Sequence, residues 1–292
     1  MNYRILTDSS ADLPASLSLE LQVDVVPLCV QFQGQEHENY PNGDSRNTLA
    51  MKPFYDALRQ AAPTSTTAAN PEKWATYMRP TLEQGEDLLV LAFSSGLSAT
   101  YSAAVLAANE LMEQFPGRTI RVVDTLAASL GQGLLVYLAA KRREAGESLE
   151  QVALWVEENK RRLCHWFTVD DLMFLKRGGR VSAATAMVGT MLKIKPVLHV
   201  DDAGKLISVS KARGRKAAIE ALAAKVGALG IHPEDQTVFI SHGDCLADAQ
   251  NLADLIRAQY GVKNFVIDYV GPVIGSHSGP GTLALFFLGE HR

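Results

Sequence analysis

Three times in its first half the chain passes from a short apolar strand into hydroxyls and a carboxylate, and then into a helix. "RILTDSSADLP" gives a strand over 4–7 followed by Asp8, Ser9 and Ser10. "LLVLAFSSGLSATYSAA" gives a strand over 88–93, then Ser94 and Ser95, then a helix from about Leu97. "IRVVDTLAAS" gives a strand over 120–123, then Asp124 and Thr125, then an apolar helix over 126–140. Strands alternating with helices build βαβ units around a parallel sheet. Crossovers of one hand bring the three polar strand ends to one edge, where ligands of open α/β sheets bind.

The intervening segments are more polar. "QFQGQEHENYPNGD" (31–44) carries turn signals at Gly34 and Asn42-Gly43 and reads as a surface hairpin or lid. "APTSTTAANPEKW" (62–74) reads as a hydroxyl-rich loop entering a helix that Pro71 starts. A helix over 149–163 is announced by a Ser148/Gln151 capping box and a stripe of Leu149, Val152, Ala153, Val156 and Leu163. Beyond it the character changes. "KPVLHVDDAGKLISVSKARG" reads as a hairpin turning at Asp202-Ala203-Gly204, followed by a helix (215–228), a strand ("TVFISHG"), a helix ("LADAQNLADLIRAQYG") and a strand ("NFVIDYV"). The Gly- and Pro-rich "VIGSHSGPGT" reads as a loop that aims His277, and "TLALFFL" as a last strand. The expected architecture is α/β: a parallel-sheet domain over 1–162, an α+β domain with a mixed sheet over 163–292, and a ligand between them.

Several chemistries are disfavoured. A net charge of −4 and a pI near 6.0 provide no basic field for nucleic acid or anionic lipid. The 126–140 stretch is interrupted by Ser129 and Gln132 and is too short to span a bilayer, and the start lacks a signal-peptide apolar run. Cys29, Cys164 and Cys245 are dispersed, as buried free thiols of a reducing cytoplasm would be. A serine hydrolase using Ser95 and His277 lacks the G-x-S-x-G elbow, because Phe93 and Leu97 flank Ser95. No phosphate-binding glycine loop exists, and Glu36, His37 and Glu38, or His242, Asp244 and Cys245, lack metal-ligand spacing. What remains is a set of neutral hydroxyls, a histidine and scattered cations, without a nucleophile–base–orienter arrangement. Such a set suits holding a carboxylate, since charge-assisted hydrogen bonds are roughly twice as strong as neutral ones.

"FTVDDLMFLKRGGRVSAATAMVGTMLKIKPVLHVDDAGKL" (167–206) is the most distinctive run, and with it the chain resembles the DegV family of fatty-acid-binding proteins. "LTDSSADLP" is similar to that family's D-S-S/T-x-D-L-P, "SSGLSATYSAA" to S-S-x-L-S-G-T-Y, and "VVDTLAASLGQGLL" to V-x-D-S/T-x-x-x-S-x-G-x-G. "LKRGGRVS", "IKPVLHVDDAGKL" and "GSHSGPGT" resemble its L-x-x-G-G-R-I-S, K-P-I-L-x-x-x-x-G-x-L and G-x-H-x-G-P-G segments, in the same order. Ala99 stands where that family usually has glycine, and "TSTTA" keeps only the first two residues of T-S-Q-P-S.

The resemblance implies a long-chain fatty acid held between the two domains, with its carboxylate near the strand ends. Carried over by motif, Thr64 and Ser95 would donate to the carboxylate, Ser65 and Ser94 would stand beside them, and His277 would join the network directly or through water. Arg180 of the G-G-R segment and Arg213 of "SKARGRK" match that family's arginines near the head group, and Gly279 falls in the G-x-H-x-G-P-G segment. The resemblance also implies a non-catalytic role without cofactor or metal, as a cytoplasmic, monomeric carrier whose bound acid a separate fatty-acid kinase converts to acyl phosphate. Leu172, Leu175, Met187, Met191 and Leu192 are candidates for the tail's lining. The rival class is an enzyme acting alone, a hydrolase or a transferase.

Overall fold

Short β-branched and leucine-rich runs become most of the strands. A computed structural model describes residues 3–181 and 194–292. In chain order the strands are β1 (Tyr3–Asp8), β2 (Val23–Val26), β3 (Leu28–Phe32), β4 (Gln35–Asn39), β5 (Thr64–Thr67), β6 (Asp87–Ala92) and β7 (Ile120–Asp124), then β8 (Leu163–Thr168), β9 (Ile194–Val200), β10 (Leu206–Arg213), β11 (Thr237–His242), β12 (Asn264–Tyr269) and β13 (Leu283–Leu288).

β2-β1-β6-β7 form a wholly parallel sheet. Its polar strand ends meet at one edge, where Asp8 accepts the Phe93 amide at 2.8 Å and Asp124 accepts the Ser95 amide at 3.2 Å. Both carboxylates thus tie loops, as short acidic side chains do wherever backbone amides lie free. β10-β9-β8-β13-β11-β12 form a mixed sheet whose pairs are antiparallel except β11–β12. β4-β3-β5 form a small antiparallel sheet. The β3–β4 hairpin turns on Gln33 and Gly34, at φ 50° and 80°, the twist a two-residue turn needs. The chain is therefore α/β, as its strand-helix alternation implies.

The helix Leu130–Glu144 joins the halves, touching β1 and β6 on one side and β8, β11 and β13 on the other. One hydrophobic cluster accordingly runs from Ile5 and Leu89 through Leu134 to Phe239 and Phe286. Two glycines permit this: a Cβ at Gly131 would stand 2.7 Å from the Phe286 ring, and one at Gly133 would stand 2.8 Å from the Ala11 carbonyl oxygen.

Four local expectations need correction. "TSTT" is not a loop but β5, paired with β3, because a run of β-branched residues can extend a sheet edge. The segment carrying His277 is a short helix, Pro272–Ser278, with proline in its first turn and Gly279 stopping it at φ 80°. The buried helix begins at Leu130 and not 126, because Leu126 and Ser129 adopt φ 51° and 53°. The helix after Ser95 begins at Thr100, because Ser94 accepts the Gly96, Leu97 and Ser98 amides in a turn of its own.

Candidate functional site

A cavity of about 290 Å³ lies between the halves, near the lower end of the range of ligand pockets, about 300–1,000 Å³. Its walls are largely apolar and come from separate elements: Phe93 and Leu97 after β6, Phe167 of β8, Leu175, and Val273 and Ile274 of the short helix. Leu172 is buried in the main core and does not line it, and Met187, Met191 and Leu192 lie outside the described residues.

At one end stand Thr66, Arg180 and His277, which also line an outer cleft with Thr64 and Ser65. The helix Pro272–Ser278 rests on β3 and β5 and against the helix Met173–Arg177, which ends just before Gly178 and Gly179. His277 Nε2 and Thr66 Oγ1 are 2.7 Å apart. Burial, with the nearby Arg180 charge, pushes the His277 pKa down to about 4, so its imidazole is neutral at physiological pH.

Arg180 is half-buried, and its Nη1 donates to the Gly178 carbonyl. Among the described residues no carboxylate pairs with it, and burial lowers its pKa from the ordinary arginine value. A guanidinium has five donors in a fixed fork and stays protonated. Taking a cation from water without a counter-charge is costly, and an anion entering the cavity would relieve that cost.

The remaining sequence-based candidates fall elsewhere. Ser94 is fully buried and bonds across the halves, donating to the Gly204 carbonyl at 2.8 Å. Ser95 is exposed and does not line the cavity. Arg213 is exposed at the end of β10. Gly279 packs on Phe174, whose ring a Cβ would approach to 2.5 Å. Thr66 and Thr67 line the cavity although no motif singles them out, and so does Ser98, which falls on the serine of L-S-G-T but is not among the residues carried over from it. For Thr66 a signal exists: alternation along "TSTT" places it on the same face as Thr64. The hydrolase pairing is not formed, because Ser95 faces solvent while His277 bonds to Thr66.

No helix among the described residues is long and apolar enough to cross a membrane. The three cysteines are free, and Cys164 is buried while Cys29 and Cys245 are half-buried. Desolvation pushes the Cys164 and Cys245 thiols up to about 12 and 11, so they are not poised as nucleophiles.

A family described as "Uncharacterised protein, DegV family" matches residues 2–290. A DegV domain-containing protein of Clostridium perfringens is 46% identical over 290 residues, covering 99% of this chain and 98% of the relative. A DegV lipid binding protein from Thermotoga maritima has a similar structure, with TM-score 0.85, 31% identity and full coverage of both chains. A DegV family protein from Thermus thermophilus, described by its fatty acid binding, has TM-score 0.85 and 33% identity over 99% of this chain and 100% of its own. DegV from Bacillus subtilis, a fatty acid binding protein, has TM-score 0.84 and 26% identity over 99% and 100%.

Proposed function

This chain belongs to the DegV family, and from that membership we propose that it binds a long-chain fatty acid in the cavity between its halves. The carboxylate stands at the end lined by Arg180, Thr66 and His277, with Thr64 and Ser65 at the outer cleft, and the tail lies against the apolar walls. The observation that carries this reading is Arg180, a half-buried cation with no carboxylate partner among the described residues, at the end of an apolar cavity. The solved relatives described as fatty acid binding support it.

The division of labour follows from magnitudes. Each buried methylene contributes about 0.8 kcal/mol, so the tail supplies most of the affinity, which association and ordering costs partly offset. The charge-assisted contacts at Arg180 fix which end of the ligand faces out. Neutral His277 can accept or donate one hydrogen bond without adding charge. We further propose that the protein is a cytoplasmic, monomeric carrier that does no chemistry itself, needs no cofactor and offers the carboxylate to a separate fatty-acid kinase.

Organic extraction of the purified protein followed by mass spectrometry tests the ligand class. One long-chain acid per chain supports the carrier. A protein free of lipid that also fails to take up an added long-chain acid overturns it.

A further inference from the structure

A cavity built for an unbranched hydrocarbon tail alone should be apolar away from the head group, and this one is not. His165, Ser129, Ser241 and Ser278 also line it, and none lines the outer cleft shared by Thr66, Arg180 and His277. All four are at least nine-tenths buried. Ser129 donates to the Asp12 carboxyl group at 2.6 Å, and the Ser129 and Ser241 hydroxyls are 2.9 Å apart. A hydroxyl has one proton, so Ser241 donates to Ser129 when Ser129 donates to Asp12, leaving the Ser241 oxygen lone pairs for a further donor.

The other two residues are unsatisfied. The Ser278 hydroxyl and His165 Nδ1 are buried with no hydrogen-bond partner among the described residues. The His165 ring packs edge-on against Phe286 at 4.6 Å, and burial drives its pKa well down, so it is a neutral imidazole with one donor and one acceptor. Buried polar groups without partners cost free energy. Here such groups stand in the wall of a ligand cavity, and none of them lines the outer cleft at its carboxylate end.

Building on the fatty-acid reading, we propose that this wall is a second polar subsite, and that the chain's preferred ligand is a fatty acid carrying a hydroxyl group on its tail, received by Ser241 and His165 with Ser278 beside them. The two polar ends then read a ligand with a carboxylate at one position and a neutral oxygen at another.

The test is a titration of the delipidated full-length protein with octadecanoic acid and with hydroxyoctadecanoic acids whose hydroxyl is stepped along the distal half of the chain. In an apolar tunnel a hydroxyl weakens binding by about ten-fold, because it is buried without a partner. The expected result is the opposite sign: at one position the hydroxy acid binds about five-fold tighter than the parent, the effect of one net hydrogen bond. Ser241→Ala should remove that preference, so that the hydroxy acid binds no tighter than octadecanoic acid to the same variant, and Ser278→Ala, a milder change, should reduce it. If octadecanoic acid binds and every hydroxy acid binds equally or more weakly, the polar subsite is overturned and the fatty-acid reading stands. If no acid of either kind binds, the fatty-acid reading itself is overturned.

Discussion

Replacing Gly178 by alanine should separate ligand binding from stability. Gly178 has φ −72° and ψ −8°, a conformation alanine adopts freely. A Cβ there would nevertheless stand 2.3 Å from His277 Nδ1 and 3.1 Å from its Cγ. Ordinary carbon contacts begin near about 3.5 Å, so the ring must retreat by roughly an ångström. That breaks the 2.7 Å contact with Thr66. The lost hydrogen bond costs about 0.5–1.5 kcal/mol, while reduced freedom of the unfolded chain returns about 0.4–1 kcal/mol. Stability should therefore change by less than about 1 kcal/mol, a melting shift within about 4 °C. Binding loses a contact to a charged group worth about 1.5–3 kcal/mol, a 10- to 150-fold rise in Kd by displacement of a fluorescent fatty acid. Gly179→Ala is the reciprocal control. Gly179 has φ +70°, and a Cβ added to it would meet nothing within 4 Å, so alanine costs about 1–2 kcal/mol of backbone strain and should leave affinity unchanged. A Gly178→Ala protein with parental affinity would refute a head-group role for His277.

Three further outcomes are expected. Ser94→Ala removes the buried bond to the Gly204 carbonyl and the acceptor for the Gly96 amide; it should lower stability by about 1–3 kcal/mol in denaturant titration while changing Kd less than two-fold. Burial pushes the Asp12 pKa from 3.8 up to about 8, so over that window the folded state holds a proton the unfolded chain lacks, and stability falls as pH rises, by at most about 1.4 kcal/mol per pH unit. Asp12→Asn should flatten that slope in melts taken across the window. His277, with its pKa lowered to about 4, stays neutral when folded while the unfolded chain takes up a proton below about 6.5; its contribution to stability should therefore fall as pH drops from about 6.5 to 4, and His277→Gln should remove that part of the acid destabilisation.

The parallel sheet is legible because its signal is local: apolar runs of strand length, each ending in Asp8, Ser94 or Asp124 and followed by a helical pattern. The Ser148/Gln151 capping box is legible for the same reason, being complete within four neighbouring residues, and it forms. The site is legible only in part. His277 and Arg180 line the cavity, but Thr66, 211 residues from His277, becomes a partner only through the pleat of β5 and the seating of the short helix upon it. Ser94 and Ser95 invite reading as head-group donors because a hydroxyl at a strand end serves turns and ligands equally well. Which of these it serves depends on whether Gly204 or open space lies opposite, and that is decided by the packing of the halves. The polar wall at His165 and Ser241 is illegible because each lies in a largely apolar strand, where the few polar residues carry no period.

The most direct measurement of the central claim is carbon-13 NMR of hexadecanoic acid labelled at its carboxyl group and bound to the protein. With Arg180 as its counter-charge the bound carboxylate should titrate below the ordinary carboxylate value of about 4, and Arg180→Gln should raise the midpoint by at least about one unit. A bound resonance that titrates well above the ordinary value, as an uncompensated carboxyl in an apolar pocket does, and that ignores the Arg180 substitution, would contradict it.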